Sequence, residues 1–400
     1  MCLWYTMYIV KFFDTHKNQI VDFRPQRPQI QIYVCGITPY DSAHLGHIFT
    51  FMTYDLLQRR LEDLGHKVKL VRNITDVDEP IFLKAKQNNE HYVDLATREI
   101  NSFKEIMKRL NFRDPDAEPL ASDFIAEMAD AVKWLIDHNY AYKLDNDIYF
   151  DVMSDPKFGS FCHLPDKLQL TFMSERGGDP KRPGKRQPLD FLLWRGITDP
   201  NDPAAWNSPV GYGRPGWHIE CSVMSAALLN TPLDIHGGGM DLIFPHHECE
   251  IAQSEALNDH SQFADNWLHV APLLRYGEKM SKSLGNLVFA KDLLNEPADP
   301  AAIRLALMHY HYRSGGEWRD EVWEDTKSLV NQAADLLRRG EGSSSDNQEY
   351  SGLRDKVRAC LDDNLDTPSI VSLIKEHITG QKNSGELKQT LELLGLSINV

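Results

Sequence analysis

The chain has 400 residues, 42% of them hydrophobic, and this length predicts two to three domains around a substantial core. Its formal net charge of −15 argues against a broad phosphate-binding surface. Its six cysteines have no short spacings, which indicates a reducing, cytoplasmic compartment rather than a disulfide framework, and no apolar run is long enough to span a membrane.

The first strand and helix predicted from the sequence form an anion-binding turn. Residues 31–35 are an apolar run typical of a strand, and residues 49–64 have the pattern of an amphipathic helix. His44, Gly46 and His47 stand between them, where the amides of a helix N-terminus carry partial positive charge. His44 and His47 are therefore predicted to contact phosphate, with Gly46 letting a bulky ligand approach the backbone.

Further strand signals indicate an α/β fold with a doubly wound parallel sheet. Residues 1–13 are fairly apolar, lack a basic leader and a cleavage site, and are expected to begin the sheet. Strands are also predicted at 68–72 and 233–236, so that the motifs meet at one sheet edge, where ligands bind in such folds. The stretch 112–215 is rich in Pro, Gly and charged residues and is predicted to be an insertion.

These signals predict four segments along the chain. Residues 340–346 have the composition of a flexible loop between two helical stretches of the last segment. The segments are the first half of the α/β domain (1–111), the insertion (112–215), the second half of that domain (216–310) and a C-terminal helical domain (311–400).

Two carboxylates, Asp76 and Asp78, follow the strand predicted at 68–72. The pair suits general acid–base catalysis, but capping of the next turn or binding of an ammonium group is the favoured interpretation.

A lysine-rich stretch at residues 279–283 is interpreted as a mobile loop that closes over a nucleotide. An ammonium on a flexible stem suits the charge that develops on an α-phosphate under attack by a carboxylate. Lys282 is predicted to be the main catalytic lysine and Lys279 the second. Taken alone, the histidine motif at 44–47 could be an ordinary loop, and the lysine-rich stretch could be a solvated turn. Chance is a poor explanation of the two motifs occurring together in this order.

Two cysteines, a histidine and a glutamate form a candidate metal site. Cys35 closes the first predicted strand, Cys221 lies far along the chain, and His246 and Glu250 are one helical turn apart. Two thiolates, an imidazole and a carboxylate suit tetrahedral zinc. Small buried cysteines remain the alternative here, because the spacing is not that of a zinc finger.

The phosphate and lysine motifs together resemble the paired signatures of class I aminoacyl-tRNA synthetases. Residues 33–36, 73–78, 213–222 and 236–239 resemble cysteinyl-tRNA synthetases in particular. Residues 35–41, 174–190 and 299–318 are similar to relatives of those enzymes, the mycothiol-pathway ligases that join cysteine to the amine of glucosaminyl-inositol. Only about eighty residues follow Trp318, fewer than a full anticodon-reading domain normally needs.

The resemblance implies a Rossmann-like catalytic domain that forms cysteinyl-AMP from cysteine and ATP, with Mg²⁺ accompanying ATP. It implies zinc held by Cys35, Cys221 and His246, with Glu250 as fourth ligand or close neighbour. This zinc would bind the thiolate of the substrate cysteine, and the hydroxyl of serine cannot imitate that bond. For ATP and the adenylate it implies Gly36, Thr38, Gly46, Thr50, Asn73, Thr75, Gly239, Asp241 and Ser281. For the amino acid it implies Thr38, Thr75 and Trp217.

The acceptor of the cysteinyl group is left open. A small amine such as glucosaminyl-inositol is the leading interpretation, with residues 175–180 forming a loop near it. Glu250 and the residues after it match the cysteinyl-tRNA synthetase pattern better, so tRNA is the alternative. A non-catalytic binding module is a third possibility, disfavoured because both phosphate-binding motifs are intact. A monomer is expected.

Overall fold

The computed structural model describes residues 9–280, 284–340 and 352–399. Within these residues the strands are, in chain order, β1 (Lys11–Asp14), β2 (Gln19–Asp22), β3 (Gln29–Ile37), β4 (Lys67–Ile74), β5 (Ala141–Leu144), β6 (Asp147–Phe150), β7 (Phe191–Gly196), β8 (Gly213–Pro215), β9 (Ile235–Gly239), β10 (Trp267–Val270), β11 (Leu273–Arg275), β12 (Glu278–Lys279) and β13 (Gly316–Glu317). The α-helices are α1 (Leu45–Asp63), α2 (Glu79–Asn88), α3 (Tyr92–Arg109), α4 (Ile125–Asp137), α5 (Asp166–Glu175), α6 (Trp217–Leu228), α7 (Glu248–Leu257), α8 (Ala290–Leu294), α9 (Ala301–Leu307), α10 (Asp320–Gly340), α11 (Leu353–Asp362), α12 (Thr367–Thr379) and α13 (Ser384–Leu393).

A four-stranded parallel sheet in the order β10-β9-β3-β4 forms the centre of the fold. The strands predicted at 31–35 and 68–72 are confirmed, since they lie within β3 and β4. The strand predicted at 233–236 begins later and continues to Gly239. Its glycines allow a close approach to β10, because a Cβ at Gly237 would lie 1.8 Å from the carbonyl oxygen of Leu268.

The order of the strands places a ligand-binding crevice at one edge of this sheet. After β3, the chain adds β4 on one side and then returns to add β9 and β10 on the other. In open α/β sheets such a switch leaves a crevice at the carboxyl ends of the strands, where ligands bind. Cys35 and Gly239 lie near the carboxyl ends of β3 and β9. The predicted α/β class with a doubly wound parallel sheet is confirmed.

Helix α1 begins directly after His44, at the predicted strand-to-helix turn. The prediction that this helix is amphipathic is wrong, because its side chains are buried on almost every side, including Arg59 and Arg60. Arg59 pairs with Asp55 at 2.8 Å, and Arg60 with Asp362 of α11 at 2.7 Å. The C-terminal helices thus cover polar residues of α1 that the sequence pattern assigned to solvent.

Within the described residues, the segment predicted to begin the sheet forms part of a separate hairpin, so this part of the prediction is wrong. Strands β1 and β2 pair with each other as an antiparallel hairpin, and residues 1–8 lie outside the described residues. The turn between them is closed locally, because Asp14 accepts a hydrogen bond from the amide of Lys17 at 2.8 Å. The hairpin lies beside the sheet edge, where the Thr15 amide donates to the Trp267 carbonyl at 2.9 Å.

Two further units flank the central sheet. The antiparallel sheet β5-β6-β7-β8 lies within the predicted insertion, and helices α10 to α13 pack together near the end of the chain. The four segment boundaries stay predictions, and most of the loop predicted at 340–346 lies outside the described residues. No helix in the described part of the chain is long and apolar enough to cross a membrane.

Candidate active site and metal-binding cluster

The carboxyl ends of β3 and β9 open into a cavity of about 580 Å³. Some of the predicted site residues are buried in the protein and do not line this cavity. They are Asn73, Thr75, Cys221, His246 and Glu250. Ser281 and Lys282 lie outside the described residues. The predicted site residues that line the cavity are Cys35, Gly36, Thr38, His44, Gly46, His47, Thr50, Trp217, Gly239, Asp241 and Lys279.

The two histidines of the phosphate motif lie at the N-terminus of α1. His44 caps this helix, because its Nδ1 accepts a hydrogen bond from the Gly46 amide at 3.1 Å. A neutral imidazole whose Nδ1 accepts carries its proton on Nε2, so Nε2 is the donor nitrogen of His44 in that tautomer. The His47 ring stacks on it with ring centroids 3.8 Å apart. A Cβ at Gly46 would lie 2.8 Å from Cε1 of His44, so this glycine is needed for the cap itself.

A bulge in β3 shapes the cavity wall beside Cys35. The β3–β4 register shifts between Val34 and Ile37, and a Cβ at Gly36 would lie 1.6 Å from the carbonyl oxygen of Asn73. The Asn73 side chain accepts from the Gly36 amide at 2.9 Å and donates to the Thr75 hydroxyl at 3.2 Å. Asn73 therefore supports the wall from behind, and direct contact with an adenylate stays a prediction.

The predicted adenosine edge and the lysine loop meet across the cavity. Lys279 Nζ lies 2.8 Å from Oδ2 of Asp241, which follows Gly239 at the end of β9. Burial would raise the pKa of the Asp241 carboxyl, but the Lys279 ammonium and the Arg176 guanidinium hold it below its ordinary value. Asp241 is thus an ionised carboxylate that restrains one of the two predicted catalytic lysines.

Cys35, Cys221, His246 and Glu250 form one buried cluster, as the sequence predicts for a metal site. Their candidate ligand atoms all lie within 4.8 Å of one another. The Sγ atoms of Cys35 and Cys221 are 3.8 Å apart, and Cys35 Sγ lies 3.9 Å from Glu250 Oε1. Cys35 faces the cavity while the other three close the cluster from the protein side.

The geometry and chemistry of this cluster fit zinc. Ligand bonds of about 2.0–2.3 Å in a tetrahedron place ligand atoms roughly 3.3–3.8 Å apart, which matches the spacing of the two thiols. Nε2 of His246 is buried and has no hydrogen-bond partner among the described residues, although Glu250 Oε1 lies 3.1 Å away. An imidazole nitrogen left in this way is suited to a metal rather than to a protein partner.

Histidines that the sequence analysis did not single out surround the cluster. His236 Nε2 lies 2.6 Å from Glu250 Oε2, His218 Nδ1 lies 3.0 Å from His246 Nδ1, and His247 Nε2 lies 3.3 Å from Cys35 Sγ. Burial would raise the pKa of Glu250, but His246 and His236 lower it well below its ordinary range. Such contacts orient metal ligands and fix their protonation.

His236, His247, Cys35 and Glu250 also satisfy the spacing of a metal-binding group, so two candidate ligand sets share Cys35 and Glu250. Two features of the sequence could have indicated His236 and His247 as members of the cluster. His247 directly follows His246, and His236 stands directly before three glycines of a strand.

Of the two carboxylates after β4, Asp78 has the capping role that the sequence analysis favoured, whereas Asp76 caps none of the helices that the structure describes. Asp78 caps α2, since its Oδ1 accepts from the Glu79 amide at 2.8 Å. Asp76 accepts from the Ser122 amide at 2.9 Å and from the Ser122 hydroxyl at 2.5 Å, which ties β4 to the following segment.

Comparison with known proteins identifies the class that this fold and site define. The family described as tRNA synthetases class I (C) catalytic domain matches residues 22–328. The chain therefore belongs to this family, which confirms the resemblance found in the sequence.

Curated relatives extend over most of the chain. The L-cysteine:1D-myo-inositol 2-amino-2-deoxy-alpha-D-glucopyranoside ligase of Frankia casuarinae is 42% identical over 367 residues, which cover 91% of this chain and 77% of that protein. The ligase of the same name from Stackebrandtia nassauensis is 41% identical over 403 residues, covering 97% of this chain and 91% of that protein.

Solved structures of class I synthetases share the fold. The methionyl-tRNA synthetase of Mycobacterium tuberculosis with methionyl-adenylate aligns with a TM-score of 0.59 and 16% identity, covering 93% of this chain and 89% of that one. The LeuRS of Agrobacterium radiobacter K84, in a ternary complex with tRNA, aligns with a TM-score of 0.62 and 13% identity, covering 93% of this chain and 84% of that one.

Proposed function

We propose that this protein is an ATP-dependent ligase that activates cysteine as cysteinyl-AMP and transfers the cysteinyl group to the amine of glucosaminyl-inositol. The observation that carries the proposal is the position of Cys35, which belongs to the buried metal-type cluster and also lines the cavity that holds His44 and His47. A sulfur-binding group and a phosphate-binding helix terminus thus open into one space. The acceptor is inferred from the names of the curated relatives, which match nine tenths or more of this chain.

In the first half-reaction the carboxylate of cysteine attacks the α-phosphate, and pyrophosphate leaves. His44, His47 and the N-terminus of α1 bind the phosphate oxygens. Lys279 and Lys282 stabilise the negative charge that develops on the phosphate. Asp241 pairs with Lys279, and a ribose hydroxyl that takes over the Asp241 carboxylate would release the ammonium toward the phosphates.

Zinc would be held by Cys35, Cys221, His246 and Glu250. When bound, it supplies a position for the thiolate of the substrate, which a serine hydroxyl does not match. His236 and His218 hold Glu250 and His246 in place through their ring nitrogens.

The amino acid lies against Trp217 in this proposal. The indole stacks on the His246 ring with centroids 4.2 Å apart, so it is a rigid wall that limits the size of the side chain. Thr38 lines the same cavity and provides a hydroxyl for the ammonium or carboxylate of the substrate, and the Thr75 hydroxyl stands behind the wall.

Cysteine-dependent exchange of pyrophosphate into ATP tests the activation step. Zinc-replete protein without RNA is expected to exchange with cysteine and not with serine. Mass spectrometry should then find cysteinyl-glucosaminyl-inositol and AMP when the acceptor is added. No exchange, or equal exchange with serine, contradicts the proposal. The Lys282→Ala variant is expected to lose exchange while keeping its zinc content.

Cysteinyl-tRNA synthesis is a second candidate, favoured by the position of Glu250 beside the two cysteines and His246. The sequence around Glu250 matches cysteinyl-tRNA synthetases better than the mycothiol-pathway ligases. Charging of tRNA by the same preparation distinguishes the two: acid-stable cysteinyl-tRNA formed faster than the amide product would favour the second candidate.

A further inference from the structure

A second cavity of about 640 Å³ adjoins the first. Thr38, Tyr40 and Trp217 line both, so the predicted amino-acid pocket is the wall between them. The far side of the second cavity is formed by the loop at 175–179, which the sequence analysis placed near the acceptor, and by the start of α2. The volume lies in the range of small-molecule sites. A second substrate in this space would reach the carbonyl of an adenylate bound in the first cavity.

The positive charges of this second cavity are all matched by partners within the described residues. Arg214 Nη2 lies 2.6 Å from Glu79 Oε1, and Lys279 pairs with Asp241. Arg176 donates to two backbone carbonyls, and Arg195 lies 3.9 Å from a carboxylate oxygen of Asp147. The carboxylates that line it are Asp78, Glu79, Glu175, Asp179, Asp190 and Asp241. Acidic groups therefore outnumber cations, which suits a cationic ligand and disfavours a phosphodiester chain.

Asp78 lines this second cavity together with Tyr40, which also lines the first one. Its Oδ1 accepts from the Glu79 amide, whereas Oδ2 has no hydrogen-bond partner within the described part of the chain. The side chain is fixed by its capping role, which holds the second oxygen in one orientation. Burial raises the pKa of this carboxyl to about 6, so it is ionised at neutral pH and more basic than an ordinary aspartate.

We propose that the second cavity is the acceptor site and that Asp78 binds the ammonium of the acceptor through Oδ2 and removes its proton. This inference rests on the proposed function. The acceptor class is a primary amine on a small polyhydroxylated molecule.

The chemistry of the step follows from the need for a neutral amine. The Asp78 carboxylate takes one proton from R–NH₃⁺, and the freed nitrogen lone pair attacks the carbonyl carbon of cysteinyl-AMP. A C–N bond forms, the bond from the carbonyl carbon to the phosphate oxygen breaks, and AMP leaves with that electron pair. The second amine proton passes to the leaving phosphate or to water.

The Asp78→Asn substitution tests this role, because Asn caps helices about as well as Asp but is not a base. The control is Asp366→Asn, which alters an equivalent aspartate cap at the start of α12, outside both cavities. Three rates are measured in each protein: cysteine-dependent pyrophosphate exchange, single-turnover transfer to glucosaminyl-inositol, and transfer to hydroxylamine. Hydroxylamine is already unprotonated at neutral pH and needs no base.

Asp78→Asn is expected to keep exchange and hydroxamate formation within about twofold of the unaltered protein while transfer to the amino sugar slows by about 10²–10⁴-fold. Unchanged transfer would overturn the inference, as would a parallel fall of all three rates, which indicates a structural role. Charging of tRNA in preference to the amine would also overturn it. A complete lack of exchange in the unaltered protein would instead contradict the proposed function itself.

Discussion

The buried pair between Asp55 and Arg304 provides a quantitative test of how α1 is fastened to the C-terminal part of the chain. Asp55 Oδ2 lies 2.5 Å from Nη2 of Arg304 and 2.8 Å from Nε of Arg59, while its Oδ1 accepts from the Arg113 amide at 2.8 Å. Arg304 is fully buried and also donates to the Leu394 carbonyl at 2.8 Å. Asp55→Asn removes the one carboxylate between two guanidinium groups, so both charges lose their counterion.

Breaking a buried pair by changing one partner typically costs about 3–5 kcal/mol, whereas loss of an exposed pair costs under about 1 kcal/mol. We expect the free energy of unfolding to fall by about 3–5 kcal/mol in Asp55→Asn, measured by urea denaturation at pH 7. Asp130→Asn, at an exposed position of α4, is the matched control. A loss below about 1 kcal/mol would refute the inference that this network is desolvated and structural.

The effect of pH follows from the sign of the pKa shift. Burial would raise the pKa of Asp55, but Arg304 and Arg59 lower it overall below its ordinary value of 3.8. A lowered folded-state pKa contributes stability that is fully present above 3.8 and is lost as the pH falls through the folded-state value. The stability difference between the unaltered protein and Asp55→Asn should therefore be constant near neutrality and shrink below about pH 4. A constant difference down to pH 2 would contradict this assignment.

Two further substitutions test the active site. Gly46→Ala places a Cβ 2.8 Å from the His44 ring, so the ring must move. The value of kcat/KM for ATP in the exchange reaction is therefore expected to fall by about 10²-fold. The control is Gly385→Ala, two residues after the cap of α13, which should leave kcat/KM unchanged. His236→Phe keeps an aromatic ring but loses the 2.6 Å contact to Glu250, and zinc affinity, measured by competition with a chromophoric chelator, should fall by about 10–100-fold. Unchanged zinc affinity would mean that His236 does not orient Glu250.

The strand-to-helix turn shows what local sequence determines. A strand, two histidines, a glycine and a helix follow one another within 35 residues, and their geometry depends on capping and peptide dipoles that act between near neighbours. The position of Asp78 as a cap was predictable for the same reason. The amphipathic character assigned to α1 was wrong because the helices that cover it begin far along the chain, and no pattern within the helix records them.

The sequence by itself determined the strand-to-helix phosphate motif, the class of sheet and the four residues of the metal-type cluster, because these rest on short patterns and on resemblance to a known family. Only the tertiary structure decided that Cys35 and Cys221, 186 positions apart, lie 3.8 Å from each other. It also decided that His236 and His247 surround them, and that Thr38 and Trp217 divide two adjoining cavities. The physical reason is that contacts between distant segments are fixed by the order of the strands in the sheet, which local propensity does not encode.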